Sequence, residues 1–200
     1  EVSHLKKGKP ITYKRLADIF KELEEAGAHN INLVSPSHYV GAIIRALDIY
    51  KPKIPVVYNS GGYDTPENIR VLKDYADIFL MDLKYLSPDR AKKYSGAENY
   101  PKYAVSAVKQ AYLQQPECVF KNGIMQKGVI VRHLVLPANT SDSRKLALDQ
   151  RKSPGSPVPY QHHEPVYALR QGRAVPRNQS PRYKKGVRKG AHLYLQYRFL

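Results

Sequence analysis

Cysteine and long hydrophobic runs are both scarce in this sequence of 200 residues. The single cysteine, Cys118, cannot form an internal disulfide, and no basic-then-apolar stretch near the start resembles a secretory signal. No apolar run approaches the roughly 20 residues that a membrane-spanning helix needs. These absences argue against a membrane protein and favour a cytoplasmic, reducing compartment.

Acidic residues are also few, and the imbalance is concentrated at one end. The chain has 33 Lys and Arg against 17 Asp and Glu, a net charge of +16. Residues 144–200 carry +11 of this charge, are rich in Pro, Gly, Ser and Gln, and show neither helical nor strand periodicity. The sequence therefore predicts a core of ordinary composition, residues 1–145, followed by a disordered or irregular basic tail, residues 146–200.

The core alternates short apolar strands with amphipathic helices. Strands are predicted at residues 30–34, 55–58, 77–81 and 128–136, and helices begin at Thr12, near Val40, at Thr65, at Ser87 and at about Pro101. Thr65, Pro66 and Glu67 show a typical start signal, with a cap, a proline at the first helical position and an acid in the first turn. This alternation predicts an α/β fold with a parallel sheet.

Polar residues follow or end each predicted strand. Because the carboxyl ends of parallel strands form the ligand-binding edge of such a sheet, these residues are expected to converge there. Their carboxylate, ammonium, hydroxyl, amide and imidazole groups suit a small zwitterionic or phosphorylated ligand. The eight candidates are Ser35, Ser37, His38, Asn59, Ser60, Asp82, Lys84 and Arg132.

Most of these positions also have a purely structural interpretation. Residues 59–62 fit a simple turn, Asp82 and Lys84 a solvated ion pair, and His38 a capping or core histidine. Arg132 is harder to explain in this way, because an unpaired guanidinium buried in an apolar strand carries a large desolvation cost. We therefore expect Arg132 to contact an anion.

Four runs of the core carry a family resemblance. The segments GAHNINLVSPSHY (27–39), PVVYNSGGY (55–63), MDLKY (81–85) and GVIVRHLVLP (128–137) resemble, in order and spacing, radical SAM proteins related to pyruvate formate-lyase activating enzyme. The resemblance covers roughly residues 1–145. It implies a partial (β/α) barrel that binds S-adenosylmethionine beside a 4Fe-4S cluster and cleaves it reductively to a 5′-deoxyadenosyl radical.

The resemblance also implies that all eight candidates bind the cofactor, and that the parent protein has partners. The family's Asp-x-Lys element corresponds to Asp82 and Lys84, and its strand arginine to Arg132. In the activating enzyme a glycine-rich segment after the second barrel strand holds the methionine amino group, and residues 35–38 take its place here. The parent protein would be an oxidoreductase that needs an electron donor and a protein or small-molecule radical acceptor.

The cluster-binding loop of this family is missing from the chain. Its CxxxCxxC motif supplies three thiolates, whereas Cys118 stands far from any such spacing. In relatives the loop continues into a segment like Glu1-Val2-Ser3, so we expect the chain to begin after the last cluster cysteine and to be inactive by itself. Residues 162–164, His-His-Glu, lack a second ligand cluster, so the sequence predicts no metal site.

The basic tail is predicted to be an out-of-frame translation from about Leu146 onward. Relatives carry a stretch resembling ISIMSQYTPY and then a PEINRRVT-like run, which the tail lacks. Residues 161–169 can be encoded CAG CAT CAT GAG CCA GTA TAC GCC CTA, and reading from the second base gives SIMSQYTP. Continued through residue 189 with synonymous codons, the shift gives YGKAERYPEINRRVTKKEYEK. Sequencing the coding DNA checks this prediction, and an uninterrupted frame through codons 140–160 would contradict it.

Two other functions compete with this hypothesis. A basic nucleic-acid-binding protein would use the tail, where Lys and Arg alternate with Tyr183, Tyr194 and Tyr197 to contact phosphates and stack on bases, although no RNA-binding motif is recognisable. A phosphate-binding barrel enzyme of aldolase or isomerase type would need a catalytic lysine or a carboxylate pair, and the sequence offers no clear one.

Overall fold

The computed structural model describes residues 9–134 and 160–163 and shows a mixed α/β fold, as expected. The strands are β1 (Ile31–Val34), β2 (Val56–Ser60), β3 (Ile78–Asp82), β4 (Val119–Lys121), β5 (Ile124–Leu134) and β6 (Tyr160–His163). The helices are α1 (Tyr13–Glu25), α2 (Val40–Ile49), α3 (Pro66–Val71), α4 (Pro88–Ser95) and α5 (Tyr100–Gln114), with a 3-10 turn at Ser37–Tyr39.

The strands form one mostly parallel sheet. Neighbouring strands follow the order β1-β2-β3-β5, all parallel, with β6 also parallel to β5 and β4 antiparallel to it. Each of the first three strands is followed by helix before the next parallel strand, which is the connection that parallel neighbours require. The chain therefore adds strands in sequential order along the sheet.

All five helices pack against one face of this sheet. The strand residues facing them are register neighbours, among them Tyr58, Phe79 and Val129, and each of these side chains is at most 1% exposed. A second part of the core joins α1 and α2 to Ile31 and Val56. Because side chains alternate along a strand, the intervening residues, Asn59, Leu80, Asp82 and Arg132 among them, point to what we call the opposite face.

The predicted helix starts are confirmed, but they are not all capped alike. The hydroxyls of Thr12 and Thr65 accept hydrogen bonds from the backbone N–H groups of Arg15 (3.1 Å) and Asn68 (3.3 Å). Ser87 precedes α4 without a side-chain capping bond, which the sequence pattern did not distinguish. Helix α4 begins with Pro88, whose fixed φ favours the first helical turn.

The fourth predicted strand, 128–136, begins earlier than expected. Strand β5 starts at Ile124, because residues 119–127 form a hairpin in which Lys121 pairs with Ile124. The two turn residues, Asn122 and Gly123, have φ values of 52° and 77°. Positive φ at both positions is the geometry of a two-residue hairpin turn that Asn-Gly favours, so the signal was present in the sequence.

Much of the predicted tail lies outside the described residues. Of residues 146–200, only Tyr160–His163 are described, and their backbone pairs with β5 as β6. The predicted domain boundary at 145, the out-of-frame segment beyond β6 and the tyrosines of the nucleic-acid hypothesis fall outside the described part. Within the described ranges, no helix has the length and apolar character needed to cross a bilayer.

Candidate functional site

Four of the predicted site residues meet at the carboxyl edge of the sheet. Arg132 Nε donates to Asp82 Oδ1 at 2.7 Å, and Arg132 Nη2 donates to Asn59 Oδ1 at 2.7 Å. Lys84 Nζ lies 3.8 Å from Asp82 Oδ2. We call Asn59, Asp82, Lys84 and Arg132 the charged cluster. The expected anionic contact of Arg132 is confirmed, and the anion is Asp82.

The sheet register brings these residues together. Asp82, the last residue of β3, is the direct neighbour of Arg132 on β5, so both side chains leave the sheet on the opposite face. Asn59 stands on β2 beside Leu80, two residues before Asp82, and therefore points to the same face. A contact between residues 50 positions apart in the chain thus follows from parallel pairing of two strands.

The charged cluster combines two cations with one carboxylate. The Lys84 side chain is the most exposed of the ionic groups, at 38%, whereas those of Arg132 and Asp82 are 26% and 19% exposed. Asp82 is bonded closely to Arg132 and only loosely to Lys84. The partly solvated ammonium of Lys84 can therefore bind an anionic group of a ligand. The nearby oxygens of Asp82 and Asn59 can accept from a cationic group of the same ligand.

A second polar group forms at the end of β2, on the helix-facing side of the sheet, and centres on Asp64, which is 4% exposed. Its carboxylate accepts five hydrogen bonds, from Ser37 Oγ (2.7 Å), Tyr58 Oη (2.5 Å), Ser60 Oγ (3.3 Å), Asn68 Nδ2 (3.0 Å) and the Thr65 backbone N–H (3.0 Å). The pKa of the Tyr58 phenol is raised, first by burial and then by the charge of Asp64. The phenol therefore remains a hydrogen-bond donor to this carboxylate.

The predicted site residues thus divide into three sets. Asn59, Asp82, Lys84 and Arg132 form the charged cluster. Ser37 and Ser60 direct their hydroxyls to Asp64 instead of to that cluster. Ser35 and His38 are exposed and stand in neither hydrogen-bonded group. Ser35 has a φ of 54°, in the left-handed region that non-glycine residues rarely adopt.

Sequence reasoning missed Asp64 and Tyr100. Asp64 follows the Gly61-Gly62 turn after β2. Its position, a carboxylate close to a strand end, is the signal in the sequence that points to it. Tyr100 is the first residue of α5, and its hydroxyl reaches the backbone of Asp82 at 2.9 Å. Nothing in the local sequence distinguishes Tyr100 from the other tyrosines, because only the packing of α5 against the sheet creates this contact.

The described residues do not fit an iron–sulfur cluster. Cys118 packs against Gly128, where a Cβ atom would lie 2.9 Å from its sulfur. Gly128 is the register neighbour of Ile78, the first residue of β3, whereas the charged cluster surrounds the last residue of that strand. The one thiol therefore lies at the wrong edge of the sheet. No group of three His, Cys, Asp or Glu side chains suited to a metal ion occurs within the described ranges.

The comparisons with known proteins give one distant similarity. Over 130 residues the chain is 30% identical to an uncharacterized protein of Methanocaldococcus jannaschii. The matched part is 64% of this chain and 34% of that protein, so the chain spans about a third of the length of this relative. No family model and no solved structure matches the chain. The chain is thus similar to part of a longer protein.

Proposed function

We propose that this chain is a segment of a radical SAM protein related to pyruvate formate-lyase activating enzyme, and that its charged cluster binds S-adenosylmethionine. The observation that carries the proposal is the meeting of Asn59, Asp82, Lys84 and Arg132 at the carboxyl edge of parallel strands. These residues come from three different strands or strand ends. They are the same residues that the family resemblance relates to S-adenosylmethionine binding.

The topology favours a segment of a (β/α) barrel and argues against a doubly wound sheet. A doubly wound sheet reverses its strand order and carries helices on both faces. Here the strands follow one another sequentially, and α1 to α5 all pack against the same face. Sequential order with helices on one side is the arrangement of consecutive units in a (β/α) barrel, in which the opposite face would become the interior.

The chemistry of the ligand matches the charges of the cluster. The methionyl end of S-adenosylmethionine carries a carboxylate and an ammonium group, so a site for it needs a cation and oxygen acceptors close together. Lys84 supplies an exposed cation, Arg132 a second one, and Asp82 and Asn59 supply the acceptors. Charge-assisted hydrogen bonds of this kind are the stronger ones in protein sites.

The backbone at Ser35 gives further support. Its φ of 54° lies in the region where glycine is favoured, directly after β1. The activating enzyme has a glycine-rich segment at the corresponding place, so the unusual conformation of Ser35 is consistent with the same path of the chain. Because the described residues do not fit a 4Fe-4S cluster, we assign binding of S-adenosylmethionine to this segment and no radical step.

The proposal is tested by binding of S-adenosylmethionine to the full 200-residue chain. Replacing Lys84 by alanine is expected to weaken the affinity about tenfold, because a charge-assisted contact is lost. Lys51→Ala is the matched control, since Lys51 is an exposed lysine that contacts the Asp74 backbone. Equilibrium dialysis with labelled ligand measures both variants. Equal affinity of the Lys84→Ala and Lys51→Ala chains, or no binding by the wild-type chain, would overturn the proposal.

A further inference from the structure

The backbone of residues 82–84 is held from the helix side by a single tyrosine. The Tyr100 hydroxyl accepts the Lys84 backbone N–H at 3.0 Å. The same hydroxyl lies 2.9 Å from the Asp82 carbonyl oxygen and 3.0 Å from that of Gly61, to which it can donate. One side chain of α5 therefore connects the loop after β2 with both members of the Asp-x-Lys element.

The middle residue of this element is also fixed at both of its backbone groups. The Leu83 N–H donates to the Arg132 carbonyl at 2.8 Å. The Leu83 carbonyl lies 2.6 Å from Nδ1 of His133, which is completely buried. Since a carbonyl oxygen can only accept, the hydrogen in this contact resides on Nδ1. Every backbone polar group from the Asp82 carbonyl to the Lys84 N–H thus has a partner.

Fixing this backbone determines where two ligand-binding side chains stand. Asp82 and Lys84 are two positions apart, at and just beyond the end of β3, and their charged groups approach to 3.8 Å. We propose that Tyr100 is a positioning residue that holds Asp82 and Lys84 at the spacing needed to bind the methionyl end of the ligand. This inference rests on the proposed function, because it takes S-adenosylmethionine as the ligand.

The protonation of Tyr100 agrees with this role. Burial, as the largest cause, raises the pKa of its phenol, while the hydrogen bond from Lys84 acts in the other direction. The hydroxyl is therefore protonated at neutral pH and can donate to the Asp82 or Gly61 carbonyl while it accepts from Lys84. A phenylalanine at this position would keep the ring and remove all of these contacts.

A matched control exists in Tyr85, whose ring packs edge-on against that of Tyr100. Both tyrosines are 4% exposed. The Tyr85 hydroxyl lies 3.0 Å from Ser95 Oγ, at the end of α4, and not at the backbone of residues 82–84. Each Tyr→Phe substitution removes a hydroxyl together with its hydrogen bonds. Only Tyr100→Phe removes hydrogen bonds to the backbone of Asp82 and Lys84.

The test compares Tyr100→Phe with Tyr85→Phe in the full chain. The ligands are S-adenosylmethionine and 5′-methylthioadenosine, which lacks the amino and carboxylate groups. Tyr100→Phe is expected to weaken S-adenosylmethionine binding about tenfold and to leave 5′-methylthioadenosine binding unchanged. Tyr85→Phe should change neither. Unchanged S-adenosylmethionine affinity in Tyr100→Phe, or an equal loss for both ligands, would overturn the positioning role.

A ligand-free measurement separates this inference from the proposed function. If the wild-type chain binds no S-adenosylmethionine, the proposed function fails. NMR of the free chain then tests whether Tyr100 holds Asp82 and Lys84 in place. Tyr100→Phe is then expected to speed hydrogen exchange of the Lys84 amide and to shift the Arg132 Nε–H resonance, which reports the bond to Asp82. Tyr85→Phe should leave both signals unchanged. If Tyr100→Phe also leaves them unchanged, the positioning role is overturned.

Discussion

Replacing Gly62 by alanine is expected to lower the free energy of unfolding by about 3 kcal/mol or more. Gly62 has a φ of 82°, where a side chain strains the backbone. A Cβ atom there would overlap the Asp82 carbonyl oxygen and lie 2.8 Å from the Tyr100 hydroxyl. Neither neighbour can move freely, because the Asp82 carbonyl and the Tyr100 hydroxyl are bonded to each other.

Gly96→Ala is the control for the strain of the backbone alone. Gly96 also has a positive φ, 66°, but a Cβ atom at this position meets no other atom within 4 Å. Its replacement should therefore cost only the left-handed conformation, roughly 1–2 kcal/mol. Urea unfolding of the full chain measures both variants. Equal losses would show that the close approach of Gly62 to Asp82 does not exist in solution.

The second large effect is expected at the buried Asp64 carboxylate. A double-mutant cycle of Tyr58→Phe and Asp64→Asn should give a coupling of about 1.5–3 kcal/mol, the range for hydrogen bonds to charged groups. Tyr58 is completely buried, and its hydroxyl donates to Asp64 at 2.5 Å. Asp64→Asn by itself should also destabilise the chain, because both carboxylate oxygens accept hydrogen bonds and an asparagine replaces one of these acceptors by an NH2 group.

The pair of Tyr75 and Asp48 serves as the control cycle. The Tyr75 hydroxyl donates to Asp48 Oδ1 at 2.9 Å, so the chemistry is the same, but the contact is exposed to water. Water replaces an exposed hydrogen bond after mutation, and the coupling in this cycle should be much weaker. Urea unfolding gives both coupling energies. A buried pair that couples no more strongly than the exposed one would contradict the role of Asp64.

The same buried pair predicts an alkaline loss of stability. Burial and the Asp64 charge raise the pKa of Tyr58 in the folded chain. A raised folded pKa contributes stability that is complete below the unfolded tyrosine value of about 10 and is lost as the pH rises above it. The free energy of unfolding, measured by urea unfolding between neutral and strongly alkaline pH, should therefore decrease less with pH for Tyr58→Phe than for the wild type.

Part of the site could be predicted because its signals are local. Asp82 and Lys84 end an apolar strand, and Arg132 interrupts another, so each position could be recognised from a few neighbouring residues. The need of Arg132 for an anion followed from the cost of burying an unpaired cation. Its partner could not be named in this way, because Asp82 is 50 positions away and only parallel pairing makes the two residues neighbours.

The sequence by itself determined the α/β class, the helix starts and the approximate positions of the parallel strands, although β2 continues to Ser60 and β5 begins already at Ile124. These features depend on periodicity and capping, which act over one or two turns of chain. The hairpin turn at Asn122 and Gly123 is also specified by local sequence, although the prediction placed no hairpin there. Tertiary structure alone decided that Ser37 and Ser60 turn to Asp64, and that Tyr100 reaches the backbone of Asp82. Such contacts join segments that no local pattern relates, because they depend on which strands pair and on where α5 packs against the sheet.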